Sequence, residues 1–175
     1  MSANERIIDR RNKIYSASVD LPLEYRTTKG DEVVLSVLDF PIGSREGFEE
    51  KLLPPGKIGL VDYQRVHSQG QGTGHESALG IFYAPRELNQ QIQNHGIERY
   101  LRELVEENSG SGWELRLLTV ATPHPGTELL ANLEYEVHVW SENEFRLLFG
   151  ISISITSNKS DPKIAISVSP NATWT

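Results

Sequence analysis

Two histidines, His67 and His75, bracket a glycine-rich stretch that reads His67-Ser68-Gln69-Gly70-Gln71-Gly72-Thr73-Gly74-His75-Glu76. An imidazole can take or give a proton near neutral pH, and closely spaced glycines let backbone amides approach an anion. Known phosphate-cradling patterns do not fit. The dinucleotide fingerprint needs its third glycine one position later and a helix at once, whereas helical periodicity here resumes only about ten residues on. The Walker pattern lacks its Gly-Lys-Ser/Thr. His75-Glu76 would open a His-Glu-x-x-His zinc pair, but position 79 is Leu79. No Gly-x-Ser-x-Gly elbow occurs. The glycines thus read as a flexible loop or as a functional one.

Downstream lies a cluster of carboxamides, Asn89, Gln90, Gln91, Gln93 and Asn94. They form either the solvent face of a helix or a source of side-chain oxygen for a hard divalent cation. Asn94 and Glu98 are four apart and project from one helical face. Asn89 and Glu98, nine apart, are half a turn out of phase on an unbroken α-helix, although Gly96 offers a break. The acids Glu103, Glu106 and Glu107 read as a solvated helix face. His124 sits in a Pro-Gly turn, and His138 is expected on the solvent side of an alternating strand.

These groups need elements to hold them. The chain has 175 residues, of which 38% are hydrophobic, and its 14 glycines complete an ordinary globular composition. That length suits a single domain, 1–175, in three blocks. Residues 1–60 hold N-terminal strands, Val19 to Arg26 and Glu32 to Phe40, with hairpin chemistry at Thr27 to Asp31. Residues 61–108 are a strand expected to end at His67, the loop and one long helix at about 85–108. Pro85 is expected in its first turn, with Leu88, Ile92, Tyr100 and Leu104 in helical register beside Ile97, Leu101 and Val105. Residues 113–170 alternate as antiparallel strands. The expected fold is α+β, a mostly antiparallel twisted sheet with one long helix packed on it and the Gly-rich loop before that helix. There are no cysteines, so disulfides, thiolate metal sites and Cys nucleophiles are excluded. A net charge of −7 argues against a broad basic footprint. No membrane-length apolar run and no Sec-type signal are visible, so synthesis in a reducing cytoplasm is the expected setting.

The stretch Asp62-Tyr63-Gln64-Arg65-Val66-His67, the loop, Gly80 to Asn89, and Gln93-Asn94-His95-Gly96-Ile97-Glu98 resembles the type 4 domain of bacterial polymorphic toxins. The likeness runs from about Val61 to Val139. The same segment resembles a worn form of the ββα-metal, or His-Me finger, nucleases. Arg65-Val66-His67 stands where Arg-Gly-His would and Asn94-His95-Gly96 where Asn-x-Gly would. Val66 replaces the motif's glycine, and Gln64 occupies the position of its aspartate.

The resemblance implies a toxin or effector domain that cleaves nucleic-acid phosphodiesters. His67 would be the general base, with Mg²⁺ or another divalent cation on Asn94, Glu98 and Asn89, and with Arg65 or Arg86 on a phosphate oxygen. Two alternatives stay open. One is a metal-independent RNase that uses His67 with His75 or Glu76. The other is a non-catalytic protein-binding module, with the Phe149 to Ile155 segment as a strand-accepting edge. An acid-and-histidine hydrolase of a nucleotide or sugar would suit the negative charge. Nucleic acid as substrate and an immunity or carrier protein are the expected partners, without membrane insertion.

Overall fold

The computed structural model describes residues 2–16, 18–26, 30–39, 53–70, 73, 75, 81–108 and 110–170. The hairpin turn at 27–29, the residues beyond Asp39 up to 52, and Glu76 fall outside them. The protein is α+β. Six strands, β1 (Leu23–Arg26), β2 (Glu32–Val37), β5 (Glu114–Pro123), β6 (Leu130–Ser141), β7 (Glu144–Ile155) and β8 (Ile164–Pro170), form one sheet in the order β1-β2-β5-β6-β7-β8. Every described pairing in it is antiparallel. Two further strands, β3 (Tyr63–His67) and β4 (Ile81–Pro85), make a separate antiparallel ribbon.

One face of the sheet carries the main core. Leu117, Leu133, Val137, Val139 and Ile153 are fully buried against Phe82, Leu88 and Leu101 from the ribbon and the long helix. The opposite face is covered by a helix for which the hydrophobic periodicity gave no expectation, α1 (Ala3–Ile14). Its Ile14 packs with Val33, Leu35, Leu118 and Val120. A capping box was its one local signature. Ser2 accepts from the Glu5 amide, and the Glu5 side chain accepts from the Ser2 amide.

At the other end of α1, buried Arg116 of β5 donates to the carbonyls of Lys13, Ile14 and Ser16 at 3.2, 2.9 and 3.0 Å. These acceptors lie at and just beyond the C-terminal end of α1, where carbonyls run short of intrahelical partners, and the Lys13 carbonyl also accepts from the Ser16 amide. The same cover corrects the reading of His138, which is buried rather than solvent-facing. It lies edge-on to Tyr15, ring centroids 6.4 Å apart, and its Nε2 is 3.2 Å from Glu136. Burial would raise the Glu136 carboxyl, but hydrogen bonds from His138 and Arg11 outweigh it and draw the group down to about 2.

The long helix differs from the expected one. Pro85 is the last residue of β4, helical geometry begins at Arg86, and Leu88–Ile97 is a π-helix that becomes α-helical over α2 (Glu98–Asn108). Hydrogen bonds from i to i+5 loosen the winding. Leu88 and Ile97, nine apart, are therefore both buried in the same core, whereas Tyr100 is 51% exposed. The glycine edge expectation also shifts: β7 is paired on both sides, and β8 is the edge strand.

Candidate functional site

The β3–β4 ribbon has two chemically distinct faces. Strand alternation puts Gln64 and Val66 on one side and Tyr63, Arg65 and His67 on the other. The first side meets the core. Val66 is buried there with Phe82, Ala84 and Leu88, and the Nδ2 of Asn89 donates to Gln64 Oε1 at 2.6 Å. The second side therefore holds Arg65 and His67 together, about 7 Å apart along the strand. Arg65 lies opposite Tyr83 in the register, and its charge acts on the Tyr83 phenol, whose hydroxyl donates to the Leu53 carbonyl at 2.7 Å. His67, half-buried, is the last residue of β3, as the sequence predicts.

Behind the strand, the π-helix supplies a polar stripe. Nine residues cover about two turns of i→i+5 winding, so Asn89, Gln93 and Glu98 fall into one line where an α-helix would separate them. Each meets a successive part of β3 or its loop. Asn89 reaches Gln64. Buried Gln93 donates to the backbone carbonyl of His67 at 3.1 Å and to the hydroxyl of fully buried Tyr135 at 2.9 Å. The Glu98 carboxylate, 7% exposed, packs on Gly70 so closely that a Cβ there would lie 2.5 Å from Oε1. Burial, chiefly, raises the Tyr135 phenol well above its ordinary value, and the nearby Glu98 adds to the effect.

The loop that follows β3 is tied down by further side chains. Ser68 donates to buried Glu32 of β2. Fully buried Gln69 accepts from Ser36 at 2.6 Å and donates to the carbonyls of Val34 and Leu117. Thr73 donates to the Gly70 and His75 carbonyls, and His75 Nε2 lies 2.5 Å from Glu24 of β1. The glycine loop is thus fastened across β1 and β2 by polar side chains that no glycine motif would reveal.

The predicted site residues divide. Arg65 and His67 share a face. His75 is held on β1 by Glu24, and Glu76 lies outside the described residues. Arg86 follows Pro85, which pairs with Tyr63, so it stands at the far end of the ribbon, about 13 Å along β3 from His67. There it lines an open cleft of about 700 Å³ with Lys159, Asp62 and Glu87. Arg99 pairs with Glu103 at 3.1 Å rather than joining Arg65. Asn89 and Glu98 share a stripe but are about two turns apart, too far for one ion whose ligands sit at about 2 Å. Asn94 lies on the same helix, and its side chain is outside the described set. Among the described residues, no group of three or more His, Asp or Glu side chains is placed to hold a metal.

A half-buried histidine and an arginine on one ribbon face, braced from behind by buried carboxamides, define a positioned polar site on an α+β scaffold. Residues 60–144, which run from the ribbon through β6, match the family of bacterial toxin 4. That segment is accordingly similar to bacterial toxin 4 domains. No curated protein and no solved structure matches the chain. Among the described residues no helix is long and apolar enough to cross a membrane.

Proposed function

We propose that this toxin domain cleaves phosphodiester bonds of nucleic acid on the outer face of the β3–β4 ribbon. The observation that carries this reading is the shared placement of Arg65 and His67, on a strand whose opposite face is pinned through Gln64 and whose last carbonyl is held by Gln93. A neutral His67 takes the proton from the attacking oxygen, which is water or, in RNA, the 2′-hydroxyl. Arg65 donates to a non-bridging phosphate oxygen and stabilises the charge that grows there. Pinning the strand matters because a general base works only within hydrogen-bond reach of its proton.

A divalent cation, Mg²⁺ in the first instance, is proposed only at Glu98 with Asn94, on the helix side of β3. Bound there, behind the strand, it would lie on the opposite side of β3 from Arg65 and His67, and would act on the placement of the strand rather than on the phosphate. Asn89 is better described as a clamp on Gln64 than as a third ligand. The same toxin reading includes an immunity or carrier protein as partner and delivery into another cell.

The test is cleavage of supercoiled plasmid and of total RNA by the purified protein, with Mg²⁺ or with EDTA. Wild type is compared with His67→Ala and Arg65→Ala, their folds checked by circular dichroism. Degradation lost in His67→Ala and weakened in Arg65→Ala is the expected result. Loss of activity in EDTA would establish a requirement for a divalent cation, and its persistence on RNA alone would assign acid–base cleavage without metal. A folded His67→Ala protein that degrades as fast as wild type overturns the proposal.

A further inference from the structure

The flank of the sheet farthest from α1 presents the opposite problem to the ribbon: apolar groups in water and, among the described residues, backbone groups without a strand beside them. β7 and β8 alternate in step. Ile151, Ile153 and Ile155 oppose Val168, Ile166 and Ile164, so all six project from the core-facing side of the sheet. The reverse side carries Ser152, Ser154, Ala165, Ser167 and Ser169. Helix α2 covers the apolar side only as far as β6 and β7. Beyond it runs an open groove of about 860 Å³ whose walls include Tyr100, Trp113, Leu148, Phe149, Ile166 and Val168. Ile166 is 50% exposed and Val168 59%.

The backbone of β8 points the same way. The Thr156 amide donates to the Lys163 carbonyl at 3.0 Å, which makes Lys163 and Thr156 a hydrogen-bonded pair. Alternation along the ladder then turns the N–H and C=O groups of Ala165, Ser167 and Ser169 toward β7. Those of Ile164, Ile166 and Val168 turn outward, along an edge strand with no charged residue between Ile164 and Pro170. Edge strands in monomers are ordinarily protected by lysine, proline or a bulge. Here the proline comes only at the last position, and the register with β7 is unbroken.

We infer that β8 is the seam of a two-fold homodimer, in which two copies of the chain join their sheets by antiparallel β8–β8 pairing. The strand is self-complementary for this. Antiparallel pairing centred on Ile166 sets Ile164 opposite Val168 of the second copy and Ala165 opposite Ser167, apolar on apolar and small on small. The outward N–H and C=O groups of Ile164, Ile166 and Val168 then meet each other in hydrogen-bonded pairs, and Pro170, without an N–H, falls outside the register. The β8 edge carries no charged residue, so two copies can meet along it without opposing carboxylates even though each chain carries −7. Pairing also closes each apolar groove along its open side.

The experiment is sedimentation equilibrium of the whole protein over a concentration series, with Ile166→Lys, Ile166→Glu and an equimolar mixture of the two. Ile166 is half-exposed, so both variants are expected to fold, which circular dichroism checks. Wild type is expected to dimerise with concentration. Each variant alone should weaken the dimer by about 100-fold or more, because it sets like charges opposite each other at the axis. The mixture should restore dimers by pairing Lys with Glu. A wild-type protein that stays monomeric at every concentration, a dimer indifferent to both variants, or a mixture that fails to associate overturns the inference.

Discussion

The ribbon side and the β8 side of this domain break the ordinary rule of burial in opposite senses. Behind β3, Gln93, Gln69, Glu32 and Glu98 are buried polar groups. Gln93, Gln69 and Glu32 have named hydrogen-bond partners, and the Glu98 carboxylate is fitted against Gly70. Along β8, Ile166 and Val168 are half-exposed apolar groups beside an edge that no described strand pairs. A buried polar group that finds its partners contributes little net stability but makes any other arrangement expensive, so it fixes position. An exposed apolar strip contributes little to folding and keeps its transfer free energy for association. One flank is built to hold a strand still, and the other to be covered.

Substitutions in the two regions should separate these roles. The largest expected effect is on activity. His67→Ala should lower phosphodiester cleavage by about 10²–10⁴-fold while leaving the thermal unfolding midpoint nearly unchanged, read from initial rates and calorimetry on the same sample. Next comes Gln93→Ala, which strips the His67 carbonyl and the Tyr135 hydroxyl of their donor. Denaturant unfolding should show a loss of about 2–3 kcal/mol, with activity reduced as well. The matching truncation on the other flank, Ile166→Ala, should change monomer stability by no more than about 0.5 kcal/mol. Equal losses at the two positions would erase the contrast.

Gly70→Ala offers a finer cut. Its Cβ would press on the end of a flexible side chain, Glu98, rather than on backbone. Cleavage should therefore suffer more than stability, and a large drop in unfolding free energy would mean that Glu98 cannot yield.

The smallest effect concerns pH and lies on the α1 side of the sheet. Glu136 has its carboxyl held at about 2, against an ordinary 4.5, by His138 and Arg11. A depressed acid contributes its stabilisation in full above 4.5 and loses it as pH falls toward 2. Chemical denaturation between pH 5 and pH 2 should show that decline, and Glu136→Gln should flatten part of it.

Much of the scaffold was legible in advance because strands with one wet face write themselves as alternation. The run Asn132 to Trp140 and the Ile/Ser pattern of β7 are plain cases, and both strands lie where the pattern puts them. The end of β3 at His67 was legible for the same reason. What hid was anything set by contacts distant in sequence. Half of α1 is charged, and its stability comes from Arg116 and the β2–β5 face, which no local pattern reports. His138 reads as a wet position until α1 is laid over it. The π-helix escaped because a period of 3.6 was assumed. In retrospect the step from Ile92 to Ile97, five residues between apolar positions, marks the slip. That slip also decides the alignment of Asn89 with Glu98. The loop's fastening by Ser68 and Gln69 escaped because short polar side chains carry no signal of which distant carbonyl or carboxylate they will meet.

The borders of the toxin-matched segment cut through the sheet rather than around it. Residues 60–144 include β5 and β6 but leave out β2, the neighbour of β5, and nearly all of β7, the neighbour of β6. Excised at those borders, the segment would carry two raw strand edges where the intact chain has a continuous ladder, and it would lose the Glu32 and Ser36 anchors of its own glycine loop. The unit that heredity makes recognisable is thus smaller than the unit that can fold. Transplanting the proposed activity into another protein would require residues that lie outside the family-matched segment.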